Sequence, residues 1–187
     1  MESLDPRIVI GVLVALAVVV IAVVLTKRRR TEELRGKFGP EYERLVREHG
    51  DAQHAERELD DRVQRVKQLH LKPLDPEHRT RFAEQWRADQ ARFVDDPKGA
   101  VVEADRLVAD LMQVRGYPVG DFEQRAADVS VDHPYVVQNY RAAHDIADRE
   151  RRGDASTEDL RKAMVHYRAL FEDLLDTADA EPREVHR

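Results

Sequence analysis

The chain of 187 residues has no cysteine. That absence excludes a disulfide framework, a zinc–thiolate site and a thiol nucleophile. Strand signals are scarce, and no internal repeat or low-complexity tract interrupts the chain. It carries no G-x-x-x-x-G-K-[ST], G-x-G-x-x-G or H-E-x-x-H motif, so phosphate-cradling loops and a helix-borne zinc site are not indicated. Ser3, Ser130 and Ser156 lack the G-x-S-x-G context of a nucleophile elbow. Only one long apolar run occurs, which excludes a polytopic membrane protein.

That run is residues 8–26, IVIGVLVALAVVVIAVVLT: nineteen positions, seventeen of them apolar and none charged. As a helix it is about 28 Å long, close to the hydrocarbon core of a bilayer. The flank before it is nearly neutral, and the run ends in Val-Leu-Thr-Lys rather than an A-x-A pattern. An uncleaved transmembrane helix is therefore expected in preference to a secretory signal. Lys27, Arg28, Arg29 and Arg30 follow directly, while only Arg7 precedes. The positive-inside rule places residues 1–7 outside and the larger C-terminal part in the cytoplasm, as a single-pass protein of the plasma membrane.

Charge divides the rest. Without residues 1–26, 65 of 161 positions are charged, about 40% against a usual 25% or so. Residues 1–26 carry −1 and the stretch 27–37 carries +4, so the net charge of −6 leaves −9 on residues 38–187. A domain this acidic is a poor nucleic-acid binder, and no nucleic-acid partner is expected. The basic collar, residues 27–39, suffices as a stop-transfer flank and is also suited to anionic lipid.

Helix punctuation recurs beyond the collar. Gly39-Pro40 opens residues 40–71, a charged helical stalk or helix pair. A leaky heptad seam (Leu45, His49, Ala52, Glu56, Leu59, Val63, Val66, His70) offers a route to a homo-oligomer. Gly50-Asp51 marks the place where one helix would become two. Residues 75–176 read as a small antiparallel helical bundle. Asp75-Pro76, Asp96-Pro97 and Asp121 cap successive helices, Asp132-His133-Pro134 starts another, and Ser156-Thr157-Glu158-Asp159 starts the last. Its stripe is Leu160, Met164, Tyr167, Phe171 and Leu174. Residues 177–187 form a polar tail. The expected fold is all-α: one N-terminal transmembrane helix followed by this bundle.

Candidate chemistry is thin. The eight histidines are dispersed, and the nearest approaches to a ligand pair, Asp51-x-x-His54 and Asp75-x-x-His78, use aspartates already explained as caps. Asp95-Asp96 is likewise read as part of a helix start. No catalytic, cofactor-binding or metal-ligating residue is assigned, and no cofactor. Tyr117, Phe122 and Tyr135, in an irregular aromatic segment, are expected in the bundle core, where aromatics of a small domain usually sit, with an exposed partner patch as the alternative.

The stretches FVDDPKGAVVEADRLVADLMQVRGYP and DFEQRAADVSVDHPYVVQNYRAAH, with RGYP and SVDHP the most specific, resemble a family of uncharacterised bacterial single-pass membrane proteins with a charged helical cytoplasmic domain. The resemblance covers about residues 38–175. It implies a bacterial source and a self-contained domain and carries no activity or ligand. Two functions are then expected in contrast. One is a membrane-tethered cytoplasmic adaptor or scaffold, held in the bilayer through residues 8–26 and binding an unknown protein. The other is a membrane-anchored helical enzyme or small-ligand-binding domain with a pocket near Trp86, Tyr117 and His133.

Overall fold

The computed structural model describes the backbone of residues 6–176 and the side chains of residue 13 and residues 15–176. The expected tail 177–187 and most of the expected outer segment 1–7 lie outside the described residues. Among the described residues there are eight helices and no strand: α1 (Pro6–Phe38), α2 (Pro40–His49), α3 (Ala52–Lys67), α4 (Pro76–Arg92), α5 (Pro97–Val114), α6 (Phe122–Val129), α7 (Val137–Arg151) and α8 (Thr157–Asp176).

The sequence suggested a membrane helix ending at residue 26 and a separate collar. In the structure α1 is one helix of 33 residues that carries the apolar run and continues through the collar as far as Phe38. No proline lies between Pro6 and Pro40, so nothing removes a backbone donor along the way. Gly39 ends α1 with φ +47, and Pro40 then occupies the first turn of α2, where its missing N–H costs no bond. Among the described residues no helix is long and apolar enough to cross a membrane. Within residues 8–26, the side chains of 8–12 and 14 lie outside the description.

Residues 40–67 form a helix pair. Gly50 adopts the left-handed conformation at φ +67. Asp51 accepts bonds from the backbone N–H of Gln53 and His54 at the start of α3. The chain therefore folds back, and of the apolar members of the heptad seam Leu45, Leu59 and Val66 are buried within the chain, Val63 is half-buried and Ala52 is exposed. They form a small core with Leu34 and Phe38 of α1, Tyr42, Ala55 and Val131.

The larger core lies among α4, α5, α7 and α8. α5 contributes Ala100, Val101, Ala104, Leu107, Val108, Leu111 and Met112, all buried, and touches α4, α7 and α8. The stripe of α8 points inward as its spacing requires, with Leu160, Met164, Tyr167, Phe171 and Leu174 all buried. α4 adds Phe82 and Trp86, and Trp86 stacks on Phe171 at 4.7 Å between ring centroids. Side-chain oxygens of Asp75, Asp96 and Asp121 cap α4, α5 and α6. Ser156 and Asp159 satisfy each other's backbone N–H groups reciprocally at the start of α8.

One helix start differs from expectation. α7 begins at Val137, with Val136 at its N-cap and no side-chain cap. Asp132-His133-Pro134 belongs to the preceding turn: the His133 N–H donates to Val129 O, and His133 O accepts from Val136 and Val137. The His133 ring pairs with Asp173 on α8, so this segment ties helices together instead of opening one.

Candidate membrane-facing site

The described apolar half of α1 lies bare. Leu13, Leu16, Val18, Val19, Val20, Ile21, Val23, Val24 and Leu25 are 44–61% exposed. They occur on every side of the helix, because consecutive positions such as 18–21 point in four directions. A helix apolar all round has no solvated face, and it is stable only inside a core or in lipid. α1 packs against α2 and α3, and Leu34 and Phe38, buried toward its C-terminal end, belong to the small core it shares with them and Val131.

Between bare half and buried end lie Lys27, Arg28, Arg29 and Arg30, all exposed. α3 packs beside this part of α1. Arg30 pairs with Asp60, and Thr31 Oγ1 donates to Glu56 Oε1 at 2.7 Å, an oxygen that also accepts from Tyr42 Oη at 3.2 Å. A cleft of about 510 Å³ opens between the two helices, with Thr26, Arg29, Glu33 and Lys37 on α1 and Asp60 and Val63 on α3.

A buried ionic node locks this arm to the bundle. Glu41 of α2 is fully buried. Its Oε1 accepts from Arg44 Nη2 at 2.9 Å, Arg62 Nη1 at 2.8 Å and Arg141 Nη2 at 3.4 Å. Burial alone would raise its carboxyl, but the bonds from Arg44 and Arg62 and the charge of Arg141 hold it below its ordinary value. Arg62 Nη1 also donates to Ser130 Oγ at 3.1 Å, and Arg65 Nε donates to Asp128 Oδ1 at 2.8 Å. The node thus joins α2 and α3 to α6 and α7. It was missed in the sequence, where positions 41, 62 and 141 share no spacing and Glu41 reads as ordinary first-turn acid.

The arrangement nearest to acid–base chemistry surrounds His144. Its ring stacks on Phe122 at 3.6 Å between centroids, with Nδ1 4.0 Å from Asp105 and Nε2 3.6 Å from Asp148. Tyr167 Oη donates to Asp105 Oδ1 at 2.9 Å, and Arg125 Nε donates to Tyr140 Oη at 3.2 Å. Burial, with Asp105 beside it, pushes the Tyr140 hydroxyl up to about 12 and that of Tyr167 further still. Both stay protonated at neutral pH and cannot act as bases. The His–Asp distances exceed those of a catalytic pair, and the cluster reads as a polar tie between α5, α7 and α8.

The three aromatic residues weighed as core or as a partner patch are separated. Tyr117 is 2% exposed, because its N–H closes the end of α5 on Met112 O and carries the ring into the larger core. Phe122 is half-buried on His144, and Tyr135 is 67% exposed with its ring edge against Gly39. Trp86, Tyr117 and His133, the expected surroundings of a pocket, are all buried. A second cleft, of about 410 Å³, lies elsewhere, and its charged groups are already paired: Arg92 with Asp96, Lys98 with Glu150, Arg151 with Asp148. Among the described residues no group of three or more histidines and carboxylates is placed to hold a metal ion. His54 and His78 instead pair locally with Asp51 and Asp75, each at 2.7 Å.

The chain matches no protein-family model, no curated protein and no solved structure. Its functional reading therefore rests on its own residues.

Proposed function

We propose that this protein is a membrane-tethered helical adaptor. Residues 8–26 at the head of α1 span the bilayer, Lys27–Arg30 mark the cytoplasmic face, and the acidic domain holds a partner protein there. The observation that carries this reading is the set of nine large apolar side chains of α1, exposed around the whole helix. In water such a surface is an aggregation liability, and in lipid each side chain is solvated. The rigid continuation of α1 into the small core through Leu34 and Phe38 would hold the domain at a set distance below the headgroups.

The test is fractionation of the full chain expressed in bacteria, with alkaline carbonate extraction. The wild type is expected in the membrane fraction, and the double variant Val18→Arg, Ile21→Arg is expected in the extract. At the centre of a helix each arginine costs about 2.5–3.5 kcal/mol of insertion. A wild-type chain that extracts completely would end the proposal. A reporter fused after Arg187 that is active only outside the cytoplasm should be silent; activity would reverse the orientation.

A further inference from the structure

The charged turn below the apolar run is not a uniform ring. Lys27, Arg28 and Arg29 are consecutive, yet a helix sends them in three directions. Arg29 faces the cleft between α1 and α3, and Arg28 does not line it. Arg30, at the same level, pairs with Asp60 on the opposite wall. Arg29 has no carboxylate partner among the described residues. The cleft runs from Thr26 to Lys37 along α1, about 16 Å at the rise of a helix. Its upper end therefore coincides with the last residue of the apolar run and its lower end with Lys37. Val63 of α3 and Leu34 of α1 give it an apolar flank.

From this geometry we infer that the cleft is a binding site for the phosphodiester headgroup of an anionic phospholipid. The inference rests on the membrane tether proposed above. A lipid whose chains lie along Val23–Leu25 puts its phosphate within one helical turn of Thr26, at Arg29. An arginine presents a rigid fork of donors that matches phosphate oxygens, and one without a carboxylate partner has them available. Arg30 pairs with Asp60, so its charge is already matched and Arg29 is the arginine of this cleft that faces the phosphate. Glu33 sets a limit on charge: it lines the same cleft and opposes the most anionic headgroups. The occupant that fits is a singly charged phosphodiester with a small polar headgroup, such as phosphatidylglycerol.

The test uses the full chain purified in detergent micelles doped with phosphatidylglycerol, with retained lipid counted by native mass spectrometry. Arg29→Gln is expected to lose retained lipid by about fivefold, the effect of one basic residue at a membrane surface. Arg28→Gln is the charge-matched control and is expected to change it little. In the opposite direction, Glu33→Gln is expected to raise retention, while Glu32→Gln, which does not line the cleft, leaves it unchanged. Both arginine positions are exposed, so neither variant threatens folding. Equal losses in Arg28→Gln and Arg29→Gln would overturn the inference in favour of diffuse attraction. Displacement of the lipid by inorganic phosphate alone would overturn it in favour of a free-anion site. Flotation of the same proteins with phosphatidylcholine vesicles separates the two levels: failure of the wild type to float ends the tether reading, while normal flotation with equal lipid losses ends only the cleft.

Discussion

Asp89 lies on α4, one helical turn beyond Trp86, and is 4% exposed. Among the described residues, neither of its carboxylate oxygens has a hydrogen-bond partner. Burial pushes its carboxyl up to about 6 from an ordinary 3.8; Glu103 and Asp96 add to the rise and Arg92 opposes it. Between those two values the folded chain holds a proton that the unfolded chain has released. The folded state therefore loses stability as pH rises from the lower value to the upper. At neutral pH the native protein carries a buried charge at Asp89. A rise of this size is worth about 3 kcal/mol, and water reaching the outer face of α4 reduces the expectation to about 1–2 kcal/mol.

Asp89→Asn keeps the shape and removes the charge, so it should stabilise the protein by that amount near pH 7.5. The melting temperature should rise by about 3–8 °C. The gain should shrink by about two thirds near pH 4.5, where wild-type Asp89 is mostly protonated in the folded state. Fluorescence of Trp86, the sole tryptophan, reports unfolding of the full chain in micelles. A variant that is less stable at both pH values, or a gain independent of pH, would refute the assignment of Asp89 as an uncompensated buried carboxylate.

Glu41→Gln should cost about 1–3 kcal/mol, because it removes the anion shared by the buried Arg62 and the half-buried Arg141 and leaves them only their more exposed partners Glu58 and Glu123. Denaturant melts measure the loss, and faster proteolysis in residues 68–75 would show that the arm has loosened from the bundle. The Glu41 carboxyl lies below its ordinary 4.5 when folded, so its contribution is present above that pH and fades as pH falls below it; the variant should lack this part of the acid transition. Gly116→Ala should cost more than about 2 kcal/mol, since φ is +96 and a Cβ would stand 2.5 Å from the backbone oxygen of His70. Gly153→Ala, with φ +81 and open space around the Cβ position, should cost only the backbone strain of about 1 kcal/mol; equal losses at the two glycines would remove the close contact as an explanation.

Much of the helical layout was legible because helix ends are local chemistry. Asp75, Asp96, Asp121 and the Ser156–Asp159 pair cap their helices through bonds spanning three residues, and such bonds depend on neighbours in the chain. The stripe of α8 was equally legible, since one helix against one core needs only the helical period. The start of α7 was not. Asp132-His133-Pro134 has the composition of a cap, but His133 is drawn to Asp173, forty residues away. The candidate patch failed to assemble for a related reason: aromatic residues in an irregular segment have no period to say which faces inward.

The sequence by itself determined that the chain is helical and that one run is apolar on all sides. It also set the acidic character of everything beyond the collar. These are properties of composition and short-range spacing, and they hold whatever the helices pack against. Only the tertiary structure decided that α1 continues unbroken through the collar and that residues 40–67 fold back on themselves. The same holds for the meeting of Glu41 with Arg62 and Arg141, and for a cleft that leaves Arg29 unpaired beside a paired Arg30. Each of those depends on groups distant in the chain coming within a few ångströms. Charge pairing at that range follows from packing, and packing is settled by all the helices together.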